Sequence, residues 1–331
     1  MKNEILSRIQ KKFPLVPKPF EAIANELGIS ENEVLEILQK EKSDGIIRQT
    51  SAIFDTKRLG YKSSLVAFKV AEEKIDKAVE IINSHPGISH NYERNHSFNI
   101  WFTLGVPPNS ELGLEKTVEI IAKLTEADDY IMLPTLKLFK INVKLNTTGN
   151  DDKKEKVKKV VHTDIELTPL HHNIIRLAQY DIDIVSEPFA SIIEEVGTDY
   201  DTFFAILSEL QEAGVMRRFA SILNHRKAGF NANAMVVWDI DEENGESIGA
   251  DAAAFSAVSH CYLRPKYENW PYNLFTMVHG KTPDETNAII EDMAKEIPNK
   301  SYMPLYSSRE FKKIRIEYFT PACSEWESKY A

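Results

Sequence analysis

Apolar residues recur at helical spacing over residues 20–27, at Phe20, Ile23, Ala24 and Leu27, and the run stops at Gly28. Ser30 can cap a second helix, with Glu33 three residues on as a capping box, and Val34, Leu35, Ile37 and Leu38 form its apolar face. Helix, glycine turn and helix predict a helix-turn-helix over this stretch. Residues 48–54 read as a short strand of a wing. Residues 64–70 read as a strand, 75–83 as a helix, 90–92 and 98–104 as strands joined by a short turn, 111–124 as a helix and 136–145 as a strand. That order, βαββαβ, is the ferredoxin-like split unit.

The pattern then returns. Shifted by 169 positions, Pro19-Phe20 meets Pro188-Phe189, Gly28 meets Gly197, Leu38 meets Leu207, Gly45 meets Gly214 and Gly60-Tyr61 meets Gly229-Phe230. Further on, Ser89-His90 meets Ser259-His260, Tyr92 meets Tyr262 and Arg94 meets Arg264. After a four-residue insertion in the second copy, Phe98-Asn99-Ile100 meets Tyr272-Asn273-Leu274. Ordered matches of this kind mark an internal duplication. The second copy offers strands over 217–223 and 232–240, a helix over 250–258, strands over 260–262 and 272–278, a helix over 283–296 and a strand over 311–319. The expected class is therefore α+β, a tandem repeat of a winged helix-turn-helix followed by a ferredoxin-like α/β sandwich. The expected boundaries are 1–60 and 61–148 for the first copy, a charged linker over 149–164, then 165–229 and 230–331 for the second. The linker carries five lysines between Lys153 and Lys159 and reads as a solvated tether. The two copies are expected to pair as a pseudo-dimer within one chain, with further homo-oligomerisation open.

Composition narrows the function. The chain has 331 residues, 43% hydrophobic and 27% charged, as in ordinary globular proteins. No apolar run approaches the roughly 18 residues of a membrane helix, so no membrane association is expected. The N-terminal stretch is amphipathic and lacks an apolar signal core. The two cysteines, Cys261 and Cys323, have no metal spacing, and a cytoplasmic location is the expectation. Net charge is -10. The second helix of each helix-turn-helix carries acids: Glu31, Glu33 and Glu36 in the first copy, Asp201, Glu209 and Glu212 in the second. Phosphate contacts supply most of the affinity of such motifs for DNA, so no nucleic-acid partner is expected. Dinucleotide, Walker, nucleophile-elbow and C-x-x-C motifs are missing from the sequence.

Candidate chemistry sits in one repeated triplet. A strand alternates faces with period two, so His90, Tyr92 and Arg94 share a face, as do His260, Tyr262 and Arg264. An imidazole, a phenol and a guanidinium make a poor core and a good site for an anionic, aromatic ligand. Arginine holds a carboxylate in a fork, and histidine transfers protons or binds a metal. His90, His260, Tyr92 and Tyr262 are the catalytic candidates, and Arg94 and Arg264 the binding ones. Tyr267, Trp270 and Tyr272 suggest a flat apolar wall for a large ring. His96, aligned with Trp270, is balanced between binding and packing. Arg48, Arg217 and Arg218, after the helix-turn-helix, read equally as a solvated wing or as carboxylate ligands. His279, near a strand end, reads as packing, and His171-His172 as a helix start.

These residues resemble the siroheme decarboxylases of the alternative haem and haem d1 pathways, relatives of the leucine-responsive (Lrp/AsnC) regulators. His90-Asn91-Tyr92-Glu93-Arg94 with His96 and Asn99-Ile100-Trp101-Phe102-Thr103 looks like one subunit type of that family. His260-Cys261-Tyr262-Leu263-Arg264-Pro265 with Trp270-Pro271-Tyr272-Asn273-Leu274-Phe275 and Val278-His279-Gly280 looks like the other. Leu263 departs from a polar residue expected in some relatives. The resemblance implies a fusion of two subunits that removes CO2 from the C12 and C18 acetates of siroheme, giving 12,18-didecarboxysiroheme. It implies no cofactor beyond the iron-tetrapyrrole substrate, whose iron His260 or His90 would ligate if not donating a proton. A transcriptional regulator and a non-catalytic haem-binding sensor are the alternatives.

Overall fold

The computed structural model describes residues 1–141, 165–223 and 232–330. The expected linker over 149–164 lies outside the described residues, as do His162 and His225. The first copy runs α1 (Lys2–Lys11), α2 (Pro19–Leu27), α3 (Glu31–Ser43), β1 (Ile47–Phe54), β2 (Lys62–Lys69), α4 (Ile75–Ser84), β3 (Ile88–Arg94), β4 (Ile100–Val106), α5 (Gly113–Leu124), β5 (Asp129–Pro134) and β6 (Lys137–Ile141). The second runs α6 (Pro169–Ala178), α7 (Ala190–Val196), α8 (Tyr200–Glu212), β7 (Met216–Leu223), β8 (Ala232–Asp239), α9 (Gly245–Ala254), β9 (Val258–Leu263), β10 (Leu274–Gly280), α10 (Pro283–Glu296), β11 (Ser301–Leu305), β12 (Ser307–Lys313) and α11 (Ala322–Tyr330). The class is the one expected: α+β, with a helix-turn-helix and an α/β sandwich in each copy. Like parts associate, giving two compact units.

One unit, Met1–Tyr61, Val160–Arg226 and Glu317–Pro321, holds both helix-turn-helix halves. Gly28 and Gly197 take left-handed φ values of 69° and 73°, which stop α2 and α7 and turn the chain. The capping box at Ser30 forms, with the Glu33 carboxylate accepting from the Ser30 N–H at 2.9 Å. Asp199 caps α8 by accepting from the Thr202 N–H at 2.7 Å. Phe13, Phe189 and Phe219 join the halves with ring centroids 5.3–6.4 Å apart. The expected wing strands do not fold back as hairpins. Each copy supplies one such strand, and β1 pairs antiparallel with β7, with Ala52 opposite Phe219. A lone strand leaves a row of unpaired amides, and its twin satisfies them.

The other unit, Lys62–Lys159, Lys227–Ile316 and Ala322–Ala331, holds both sandwiches. Its sheets have the orders β12-β3-β4-β2-β5 and β11-β8-β10-β9-β6. Four consecutive strands of each, β3-β4-β2-β5 and β11-β8-β10-β9, are the split βαββαβ unit, with helices packed on one face. Val66, Phe68, Ile100, Phe102, Val118 and Ile121 fill the first helix-facing core, while Val236, Trp238, Ile248, Leu274 and Ile290 belong to the second. A third core lies between the sheets and includes Ala67, Trp101, Ile131, Leu133, Val237, Trp270, Phe275 and Leu305.

The fifth strand of each sheet belongs to the other copy. The strand expected over 136–145 appears among the described residues as β6, and it pairs with β9, not with its own copy. The strand expected over 311–319 is displaced to β12 and pairs with β3. The strands that close each copy's own unit are β5 on β2 and β11 on β8, neither of which the pattern singled out. The helix expected over 250–258 begins earlier, as α9. α9 lies against the exchanged strand, where a Cβ on Gly249 would stand 2.3 Å from the Phe139 ring. Gly249→Val should therefore cost about 1–3 kcal/mol by overpacking. Urea unfolding that leaves the variant as stable as wild type would show that α9 and β6 do not pack this closely.

Candidate active site

Both triplets line one cavity of about 620 Å³ within the sandwich unit. β3 and β4 place Thr103 opposite His90 and Trp101 opposite Tyr92. β10 and β9 place Met277 opposite His260 and Phe275 opposite Tyr262. The exchanged strand β12 adds Ser307, Ser308, Arg309, Glu310 and Lys313 on the first copy's side. The lining is thus four cations, one carboxylate, imidazoles, phenols and aromatic walls.

The two arginines are the most constrained groups there. Arg94 is 7% exposed and Arg264 8%. Arg94 Nη1 donates to the Leu305 carbonyl of the second sheet at 2.9 Å, and Arg264 Nη1 donates to the Leu133 carbonyl of the first. Each copy thus fastens its arginine to the closing strand of the other. The guanidinium of Arg94 lies 5.4 Å from the Tyr92 ring centroid, and that of Arg264 lies 4.8 Å from the Tyr262 ring centroid. In both, Nε is buried with no hydrogen-bond partner among the described residues. No ion pair to a carboxylate is found for either among the described residues. Burial pulls both guanidiniums down to about 10, leaving them cationic at neutral pH.

The imidazoles are neutral by environment. Burial, then the charges of His279 and His90, hold His260 at about 4. Burial, then Lys313, lowers His90. His260 Nδ1 lies 2.7 Å from Ser259 Oγ, and His90 Nδ1 lies 3.0 Å from Ser89 Oγ. Those bonds leave the Nε2 side of each ring as the remaining reactive position. Burial, with Glu310 beside it, pushes the Tyr92 phenol up to about 12, so it stays protonated.

The other candidates stand elsewhere. Trp270 is 1% exposed in the core between the sheets, in edge contact with Tyr272 and His96. His96 Nδ1 accepts from the Phe98 N–H at 3.0 Å. The Tyr267 hydroxyl donates to the Met132 carbonyl. None of these four lines the cavity, whose aromatic walls are instead Trp101 and Phe275. Arg48, Arg217 and Arg218 belong to the helix-turn-helix unit, on β1 and β7, and Arg217 pairs with Asp55 at 2.9 Å. The cavity brings in Arg309, Lys313 and Asn233, which the sequence pattern did not mark, and His279, which it marked as packing. Of these, only His279 carried a signal, its place in the Val278-His279-Gly280 motif.

Comparison with known proteins agrees with this architecture. A model of the AsnC-like ligand binding domain matches residues 58–140 and 227–312. A model of the siroheme decarboxylase NirDL-like HTH domain matches residues 2–48 and 171–217. The siroheme decarboxylase of Hydrogenobacter thermophilus is 42% identical over 98% of this chain and 96% of its own. A siroheme decarboxylase beta subunit of Methanosarcina barkeri is 41% identical over 43% of this chain and 94% of its own. A crystal structure of the siroheme decarboxylase NirDL superposes with a TM-score of 0.81 at 36% identity, covering 99% of this chain and 97% of that one. A second, in co-complex with an iron-uroporphyrin III analogue, matches equally. The fold is a duplicated, AsnC-like architecture with a helix-turn-helix and an α/β sandwich in each copy. The chain belongs to the siroheme decarboxylase family, with both subunit-sized halves in one polypeptide. Among the described residues no helix is long and apolar enough to cross a membrane.

One buried histidine behind the site gives a pH signature. His85 is fully buried against Trp326, its Nδ1 accepts from the Gly87 N–H at 2.9 Å, and burial followed by Lys312 holds it at about 3. The unfolded chain, with an ordinary histidine near 6.5, binds the proton more readily. His85 therefore contributes stability that is present above about pH 6.5 and lost as pH falls toward about 3. Urea midpoints should fall through that window, and less steeply in His85→Gln. An equal fall in the variant would count against this assignment.

Proposed function

We propose that this protein removes CO2 from the C12 and C18 acetate side chains of siroheme, yielding 12,18-didecarboxysiroheme without redox chemistry. The observation that carries the reading is the pair of buried, carboxylate-free guanidiniums facing one cavity with two imidazoles. A buried cation lacking a counter-charge is costly, and a polycarboxylate ligand would supply that charge. Siroheme brings eight carboxylates, an iron and a flat macrocycle. A volume of about 620 Å³ is in the ordinary range for a ligand pocket. The relatives named siroheme decarboxylase support the same substrate.

Arg94 and Arg264, with Arg309 and Lys313 beside them, bind the carboxylates that do not react. Trp101 and Phe275 exclude water from the reacting acetate, whose ionic ground state loses hydration as CO2 forms. The bond between the methylene and carboxylate carbons breaks. Its electron pair stays on the methylene, which takes one proton and becomes a methyl group. His260 and His90 are the proton donors, with Tyr262 and Tyr92 helping to orient the substrate. Either histidine could alternatively hold the substrate iron, in which case the other donates. The reaction draws on no cofactor beyond the substrate's own iron-tetrapyrrole.

Anaerobic incubation with siroheme, followed by mass spectrometry, should show loss of the mass of two CO2 molecules. Siroheme that binds and stays intact would instead indicate a sensor. His260→Ala should lower turnover by about 10²–10⁴-fold, the usual worth of a general acid. Arg264→Met should weaken siroheme binding at least about tenfold, a single charge-assisted bond being worth about 1.5–3 kcal/mol. Absorbance titration measures it, and wild-type affinity in that variant would remove Arg264 from the binding set.

A further inference from the structure

The two halves of the cavity are not equivalent. In the second copy Ser259 Oγ lies 2.7 Å from His260 Nδ1 and 2.6 Å from His279 Nε2, so one hydroxyl bridges two imidazoles. All three residues line the cavity. In the first copy Ser89 meets His90 at 3.0 Å, but the position of His279 is held by Gly105. The sheet registers fix that correspondence: Gly105 lies opposite Ser63 as His279 lies opposite Asn233. A Cβ at 105 would stand 2.8 Å from Cδ1 of Ile316, which would have to turn aside to admit a side chain. The Gly105 carbonyl would also stand 1.9 Å from a Cβ on Gly87. The first copy has no side chain where the second holds an imidazole.

The geometry points to Ser259 and His279 as a proton relay that acts through His260 and has no counterpart behind His90. A hydroxyl has one proton, so the bridge has two states. In the first, His279 Nε2–H donates to Ser259 Oγ, and Ser259 O–H donates to His260 Nδ1. His260 then carries its proton on Nε2 and is a donor. In the second, both bonds are reversed in sense. His260 Nδ1–H donates to Ser259, Ser259 donates to His279 Nε2, and His260 Nε2 is bare.

One decarboxylation moves the bridge from the first state to the second. The carbon–carboxylate bond breaks and CO2 leaves. The electron pair on the methylene takes the Nε2 proton of His260. His260 Nδ1 takes the Ser259 proton, Ser259 Oγ takes the Nε2 proton of His279, and Nδ1 of the half-buried His279 takes one from solvent, so every ring stays neutral. One proton is consumed and no imidazolate is formed. Without the relay, a neutral His260 would have to become an anion. The site disfavours a cationic His260 that could donate alone, for burial and the charges of His279 and His90 hold its value down. Burial lowers His279 as well, so the bridge passes the proton through neutral rings.

This inference rests on the decarboxylase reading, and the experiment separates the two. Siroheme turnover and siroheme binding are measured for wild type, Ser259→Ala, His279→Ala and the double variant, with His279→Gln as a fifth protein. Each single variant should lose about 10- to 100-fold in kcat, with binding within about threefold of wild type. The double variant should be no worse than either single, as links of one chain are not additive. His279→Gln preserves the side-chain length and can donate to Ser259, yet it cannot supply a proton. It should turn over as slowly as His279→Ala. Restored turnover in His279→Gln would show a purely positioning role, and wild-type kcat in Ser259→Ala or multiplying losses in the double variant would also overturn the relay. Wild-type protein that releases no CO2 would refute the decarboxylase reading itself.

Discussion

Two guanidiniums held out of water without a carboxylate partner are the constraint around which this structure is organised. Burial of a cation is tolerated only with compensation. Here part of it is reciprocal: Arg94 donates to the carbonyl of Leu305, and Arg264 to that of Leu133. Each acceptor lies at the end of the strand that closes the opposite sandwich. The arginines can sit there only if the two sheets meet face to face through the core of Trp101, Leu133, Val237, Phe275 and Leu305. Packing that core therefore sets the charge of the cavity. What remains of the cost, including two buried Nε donors with no partner among the described residues, favours an anionic ligand.

Strand exchange makes that arrangement one object. β6 leaves the first copy to pair with β9, and β12 leaves the second to pair with β3. Separation of the sandwiches would break both ladders and expose four strand edges. The exchange also chemically distinguishes the halves. β12 sets Glu310 beside Tyr92 and Lys313 beside His90, whereas β6 sets Leu138 beside Tyr262 and Ile141 beside His260. The same triplet thus stands next to charges in one copy and aliphatic residues in the other.

Much of this was legible in the sequence, and the parts that were not have a common cause. The helix-turn-helix came from local signals, Gly28, Ser30 and Glu33, which act within one turn. The triplets came from repetition, because H-x-Y-x-R returning in register is hard to explain as packing. Strand partners were illegible: period-two alternation says which face a residue takes, not whose edge it joins, so β6 and β12 looked like members of their own copies. Trp270 was read as a pocket wall because composition cannot distinguish an aromatic core from an aromatic site. His279 was read as packing for the opposite reason. Comparing copies rewards sameness, and its partner is Gly105.

That last miss indicates what duplication within one chain permits. A symmetric homodimer presents the same residue at both equivalent positions of its interface. Here glycine and histidine occupy equivalent positions, and His96 in one copy aligns with Trp270 in the other. Siroheme has no two-fold axis, and its two reacting acetates are chemically distinct. A cavity with twofold walls and unlike contents suits such a substrate. In the proposed function the shared triplets bind from both sides, while the unshared residues determine what each side does. The pseudo-symmetry is therefore best understood as a frame for binding, and the departures from it as the place where the chemistry differs.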